Sequence, residues 1–222
     1  MRAMILAAGR GDRLRPLTDR VPKPLIVVRG KPLIEWHLEN LAAAGIREVV
    51  INVSHLGEQI VRALGDGSRW GVSIAWSREE TALETAGGIA CARALLGESP
   101  FLLVNADVYC DYPLGSLGKV EMAGLLGHIV MVPNPPFRPK GDFSLERGKV
   151  GNLDSPRYTY SGIGVLDPRI VRSVPAGARA SLAPLLLEAA VNGQLGGEVH
   201  AGFWNDAGTP ERLAELNRTK AS

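Results

Sequence analysis

Leu6-Ala7-Ala8-Gly9-Arg10-Gly11-Asp12-Arg13-Leu14-Arg15-Pro16-Leu17-Thr18, closed by Pro22-Lys23-Pro24, is the stretch whose reading decides the fold. An apolar run, Ala3 to Ala8, feeds into a glycine-rich turn, and the turn into a segment dense in cations. A phosphate-binding loop after a first parallel strand has this build. Glycines let the backbone approach a ligand and adopt positive φ, their N–H groups face the anion, and Arg or Lys adds charge. Gly9 and Gly11 are not followed by Gly-Lys-Ser/Thr, so this is not a P-loop. Leu14 stands where a dinucleotide fingerprint needs its third glycine. The competing reading is a glycine turn beside a solvated basic face.

Charge distribution separates the two. The formal net charge is +2, too small to imply general affinity for nucleic acid. Residues 1–31 carry a local +6, with Arg2, Arg10, Arg13, Arg15, Arg20, Lys23, Arg29 and Lys31 against Asp12 and Asp19, and the remainder sums to −4. A basic segment beside an acidic remainder suits a polyanionic small ligand that also needs a metal cation. With 45% hydrophobic and 22% charged residues over 222 positions, the chain reads as an ordinary globular protein able to fill one core. Cys91 and Cys110 are too few for a disulfide scaffold and read as reduced, buried thiols. The first apolar run is short and flows into the loop, unlike a signal peptide, and no stretch approaches a membrane span. The expectation is a cytoplasmic protein with no membrane partner.

Working outward, Pro32 opens a helical pattern closed by Gly45, Val49 to Asn52 reads as a buried strand, and Gly57 to Leu64 as a second helix. Val72 to Trp76 reads as a strand, Ala86 to Leu96 as a helix, and Phe101 to Val104 as a strand apolar on both faces. This alternation predicts an α/β fold with a parallel sheet covered on both sides. From His128 the pattern turns to strands with few helices between: Ile129 to Val132, Phe143 to Leu145 and Tyr158 to Leu166. The sheet is therefore expected to be Rossmann-like and mixed, mainly parallel. Leu182 to Val191 and the segment after Thr209-Pro210-Glu211 complete it as helices, with Thr209 as N-cap.

Asp107 follows the strand Phe101–Val104, and ligands of open parallel sheets bind beyond the carboxyl ends of strands. Alone it would pass for a turn residue or N-cap. Asp206, in Phe203-Trp204-Asn205-Asp206-Ala207-Gly208-Thr209, changes that balance. Two hard oxygen ligands beside a triphosphate site are what Mg²⁺ favours. His37, His55, His128 and His200 show no metal spacing, and no Ser-His-Asp or Cys-His grouping is legible.

The run L-A-A-G-x-G-x-R-L-x-P-L-T…P-K-P resembles the signature of the sugar-1-phosphate nucleotidyltransferases, which join an NTP to a sugar phosphate and release pyrophosphate. The resemblance implies one nucleotidyltransferase domain over 1–222, with 1–112 binding nucleotide and 113–222 binding the sugar phosphate. It implies Mg²⁺ held by Asp107 and Asp206, Arg13 on the triphosphate and departing pyrophosphate, and Lys23 on the α-phosphate or incoming sugar phosphate. Nucleotide contacts fall to Leu6, Ala8, Gly9, Gly11 and Asp12 with those two cations. Ala82, Thr85 and Gly88 would read the base and Asn105 the ribose. Near the acceptor, Gly141, Asp142 and Ser161 match the family's sugar-binding loop and strand. Asp154 stands where many hexose-1-phosphate enzymes carry the Glu of a Glu-Lys-Pro, and the absent Lys counts against glucose 1-phosphate.

Within the family, the E-T-A-G-G, G-D-F, Y-S-G-I and W-N-D-A-G-T segments imply uridylyl transfer from UTP, with N-acetylmuramate 1-phosphate as the favoured acceptor. Other hexose 1-phosphates, or CTP with an aminoalcohol phosphate, remain alternatives, as does a catalytically silent nucleotide-binding module. Small-molecule substrates are then the partners, and the chain a monomer or weak homodimer.

Overall fold

The computed structural model describes residues 1–154 and 156–218. In chain order it runs β1 (Ala3–Leu6), β2 (Val27–Val28), β3 (Lys31–Pro32), α1 (Leu33–Ala43), β4 (Glu48–Val53), α2 (Gly57–Leu64) and β5 (Ser73–Arg78). Then come α3 (Glu84–Cys91), α4 (Arg93–Leu96), β6 (Phe101–Asn105), β7 (Tyr109–Cys110), β8 (Gly127–Val132), β9 (Phe143–Glu146) and β10 (Lys149–Gly151). The chain ends through β11 (Arg157–Leu166), α5 (Leu182–Val191), β12 (Leu195–Val199), β13 (Trp204–Asn205) and α6 (Pro210–Arg218).

A nine-stranded sheet, β5-β4-β1-β6-β11-β8-β12-β10-β9, organises the molecule. The four strands from β5 to β6 are mutually parallel. Their side chains alternate between two apolar layers: Ala3 and Ile5 pack with α1 and α2 residues such as Ile34, Leu38 and Ile60, while Met4 packs with Ile89, Leu103 and Leu186. Burial on both faces is why β1 and the first four residues of β6 are continuously apolar in sequence, whereas the edge strand β5 is not. Register sets Leu6 beside both Asn52 and Asn105, so three carboxyl ends lie abreast and their loops share one crevice.

Beyond β6 the sheet becomes mixed. β11 runs antiparallel to β6 and β8, and β9 pairs with β11 as well as with β10, so this half curls back on itself. A register shift between Tyr160 and Ile163 bulges β11. Gly162, at φ +83°, sits in that bulge, and a Cβ there would come within 2.7 Å of Asn105 Nδ2.

The mixed sheet flanked by helices is as expected, with local differences. The helix expected over 86–96 divides at Ala92 into α3 and α4. β12 carries no strand signal in the sequence because Leu-Gly-Gly-Glu-Val is poor in strand formers. Its glycines are needed for packing: a Cβ at Gly197 would lie 2.6 Å from Val150 Cγ2. Before Asp206 the strand is just the two-residue β13, paired with β7. Thr209 Oγ1 does accept from Arg212 N at 3.4 Å at the start of α6. No helix among the described residues is long and apolar enough to cross a membrane.

Candidate active site

A cavity of about 530 Å³ opens at the carboxyl ends of β1, β4 and β6. Leu6, Ala8, Gly9, Gly11, Asp12 and Arg13 line one side, with Lys23. Ala82, Thr85, Asn105 and Asp107 line the other. The turn is held by Gly11, at φ +69°, and by the buried Thr18, whose hydroxyl donates to Gly11 O at 2.9 Å. Arg13 is exposed at its lip.

Lys23 is the pivot. It begins a short turn after Pro22 and is 8% exposed, so its ammonium needs a partner. Nζ donates to Asp107 Oδ2 at 2.7 Å and to the backbone carbonyl of Asp206 at 3.3 Å. The two aspartates, ninety-nine positions apart in the chain, thus meet at one atom. Asp206 Oδ1 lies 2.8 Å from Arg212 Nε and accepts from Gly208 N at 3.1 Å. Arg212 also stacks on Phe137, in the loop Pro133-Asn134-Pro135-Pro136-Phe137 that follows β8, 4.0 Å from the ring centre. Each aspartate therefore keeps an oxygen that no hydrogen bond from the described residues reaches, Asp107 Oδ1 and Asp206 Oδ2. Hard carboxylate oxygens beside a cationic lip fit a divalent ion that shares phosphate ligands.

Asn52 and Glu79, both buried, join the site although neither belongs to a sequence motif. Asn52 Oδ1 accepts from Ala7 N at 2.8 Å, its Nδ2 donates to Glu79 Oε1 at 2.7 Å, and Glu79 Oε2 accepts from Leu83 N at 3.0 Å. One hydrogen-bonded bridge thereby ties the glycine-turn side of the cavity to the 82–88 side. The signal was there, a polar residue inside the apolar strand Val49-Val50-Ile51-Asn52-Val53. Gly88 lies beneath this bridge, where a Cβ would be 2.6 Å from Asn52 Nδ2. Thr85 Oγ1 accepts from Leu182 N at 2.8 Å, so its hydroxyl anchors the start of α5.

The expected acceptor residues sit differently. Gly141, Asp142, Asp154 and Ser161 are not in the cavity wall. Asp142 accepts from Tyr160 N at 2.9 Å and from Arg138 at 3.0 Å. Ser161 is buried, donates to Val130 O at 2.7 Å and accepts from Ile163 N at 3.1 Å. Asp154 is exposed. Arg179, unforeseen, reaches the cavity mouth and pairs with Glu84 at 2.8 Å.

The fold corrects one expectation about the cysteines and one about the histidines: Cys91 and Cys110 are free thiols, but both are half-buried instead of buried. His37 is packed in α1 as foreseen, and burial lowers its pKa to about 4. His200, however, does belong to a grouping: it lies 2.5 Å from Asp111 Oδ1 with Cys110 close by. Cys110 and Asp111 are neighbours in the chain, and the pairing of β7 with β13 brings them to His200 from a distant segment, which no sequence spacing reveals. Burial raises the Cys110 thiol to about 12.

The model of the nucleotidyl transferase family matches residues 2–129, and the chain belongs to that family. It is similar to N-acetylmuramate alpha-1-phosphate uridylyltransferase of Neisseria meningitidis, with 48% identity over 97% of this chain and 96% of that one. It is also 34% identical to the mannose-1-phosphate guanylyltransferase catalytic subunit beta of Danio rerio, over 95% of this chain and 62% of the relative. Among solved structures, a Bacillus anthracis protein in complex with a sucrose superposes with a TM-score of 0.85, at 20% identity, over 100% of this chain and 98% of that one. HddC from Yersinia pseudotuberculosis complexed with GMP-PN gives 0.79 at 21% identity over 97% of each chain. These two likenesses show the fold.

Proposed function

We propose that the chain makes UDP-N-acetylmuramate from UTP and N-acetylmuramate 1-phosphate, with release of pyrophosphate. The observation that carries this reading is the meeting of Asp107 and Asp206 on Lys23 Nζ, at the rim of a cavity walled by the glycine turn. The Neisseria relative, similar over nearly the full length of both chains, supports the choice of nucleotide and acceptor.

In this reading an oxygen of the sugar 1-phosphate attacks the α-phosphorus of UTP. A new P–O bond forms, the α–β bridge breaks, and its electron pair leaves on pyrophosphate. Anion meets anion, so positioning and charge neutralisation carry most of the rate. Arg13 takes the β- and γ-phosphates, and the turn N–H groups orient them. Lys23, held rigidly by its two partners, meets the α-phosphate where charge develops. Asp107 and Asp206 hold Mg²⁺, which supplies charge neutralisation at the phosphate oxygens when bound. Leu6, Ala8, Ala82 and Thr85 shape the uridine side with Gly88 beneath, and Asn105 bonds the ribose. Residues 113–222 of the single domain supply the acceptor side, where Gly141, Asp142, Asp154 and Ser161 belong to the loops and strand around the sugar. The chain works in the cytoplasm as a monomer or weak homodimer.

Pyrophosphate release measured over four NTPs and a panel of sugar 1-phosphates tests this directly. UTP with N-acetylmuramate 1-phosphate is expected to give the highest kcat/KM. A higher value for GTP with mannose 1-phosphate, or for glucose 1-phosphate with any nucleotide, overturns the assignment.

A further inference from the structure

Outside the cavity, Cys110 Sγ, a carboxylate oxygen of Asp111 and a ring nitrogen of His200 lie within 4.8 Å of one another. Cys110 ends β7, and Asp111 continues it, with Asp111 N donating to Phe203 O at 3.1 Å. His200 follows β12, tied by its own N–H to Met131 O at 2.8 Å. Two backbone anchors therefore hold the three side chains together from different segments. Gly202 presses against the group: a Cβ there would fall 2.6 Å from Asp111 Oδ1 and 2.5 Å from His200 Cε1. A second cavity, about 470 Å³, is lined by Cys110 and Asp111 together with Trp36, Asn40 and Tyr109, giving an ion a way in.

We propose that Cys110, Asp111 and His200 form a binding site for a borderline-soft divalent ion of the Zn²⁺ class. Thiolate, imidazole and one carboxylate are a three-ligand set for tetrahedral zinc, with the fourth position left to water. The same set disfavours Mg²⁺, which demands oxygen donors, so the site is chemically separate from Asp107 and Asp206. Tetrahedral bonds of about 2.0–2.3 Å put ligand atoms roughly 3.3–3.7 Å apart. The His200–Asp111 contact opens by about 1 Å to admit the ion, and the Cys110 proton leaves to solvent as the S–metal bond forms. Position gives the site its consequence. Cys110 comes three residues after Asp107 and His200 six before Asp206, so a bound ion clips together the two segments that deliver those carboxylates.

Cobalt titration of the full chain in excess Mg²⁺ tests the proposal. Wild type is expected to bind one equivalent of Co²⁺ with the intense visible bands of a four-coordinate ion and a thiolate-to-cobalt band in the near ultraviolet, both bleached by Zn²⁺. Cys110→Ser loses the near-ultraviolet band, His200→Ala weakens Co²⁺ binding by about tenfold or more, and Cys91→Ser changes neither. A second measurement stands even where a variant folds poorly: Zn²⁺ should slow alkylation of Cys110 in wild type, read by peptide mass spectrometry, and leave Cys91 unaffected. Absence of the thiolate band in wild type, its persistence in Cys110→Ser, or Cys110 alkylation indifferent to Zn²⁺ overturns the site.

Discussion

The two halves of the sheet handle their polar groups in opposite ways. In the parallel half, the central strands β1 and β6 are apolar on both faces, and polar side chains gather at the carboxyl ends, where Asn52 of β4 ties two loops together. The loop after β1 presents Gly9, Gly11 and Arg13 to an open cavity, and Asn105 faces it from the end of β6. In the curled half, Asp142 and Ser161 spend their side chains inside the protein, one on Tyr160 N and the other on Val130 O and Ile163 N. The parallel half is thus a rigid base with groups to spare, while the curled half consumes its polar groups in holding a bulged strand. That bulge carries Gly162 against Asn105, so the curled half shapes the floor of the cavity.

The contrast breaks most sharply at Asp107. Asp107→Asn should keep the fold, because the residue is partly exposed and its amide still accepts from Lys23, yet lower the rate of pyrophosphate release by ~10³-fold or more, the scale of losing a charge-stabilising group. Near-normal turnover with unchanged Mg²⁺ dependence would remove the metal assignment. Lys23→Ala should slow kcat by ~10²-fold or more while weakening UTP binding far less, because its charge is needed where charge develops. Equal losses in kcat/KM and in UTP affinity would make Lys23 a ground-state anchor.

The same contrast explains what could be read in advance. The glycine turn, Arg13, Lys23 and the apolar strands are local patterns, and the cavity was legible from them. Asp206 could be paired with Asp107 because both follow short strands ahead of a turn, although it is the Asp206 backbone carbonyl, not its carboxylate, that Lys23 touches. What escaped was non-local. Asn52 and Glu79 are ordinary polar residues until register places them under two loops. Cys110 and His200 meet through β7 and β13, each two residues long, whose pairing no hydrophobic period encodes. β12 hid behind two glycines that packing requires.

A pH series sharpens the picture of the base. His37 has a folded pKa of about 4 against 6.5 when free, chiefly because burial disfavours its charged form, with Asp107 and the Ala106 and Val108 backbone opposing. Between those values the unfolded chain binds a proton that the folded chain refuses. Its contribution is therefore intact above pH 6.5 and falls as pH drops towards 4, by up to about 3 kcal/mol at ~1.4 kcal/mol per unit. Urea unfolding between pH 7 and 4 should show that slope in wild type and a shallower one in His37→Gln. Identical slopes would mean that His37 does not titrate on unfolding in this window.

Ser161 gives the smallest effect and the finest discrimination between the halves. Ser161→Ala strips Val130 O and Ile163 N of their buried partner, a loss of about 1–3 kcal/mol in unfolding free energy. If the hydroxyl serves the bulge alone, KM for the acceptor stays within about twofold at a temperature where the variant is folded, since less than ~0.5 kcal/mol of binding is at stake. If it turns towards substrate when the sugar phosphate arrives, acceptor KM rises about tenfold, equivalent to ~1.4 kcal/mol, while KM for UTP holds. The second outcome would show that the curled half lends a side chain already used in its own fold, so its pocket completes itself during binding, in contrast to the preformed cavity of the parallel half.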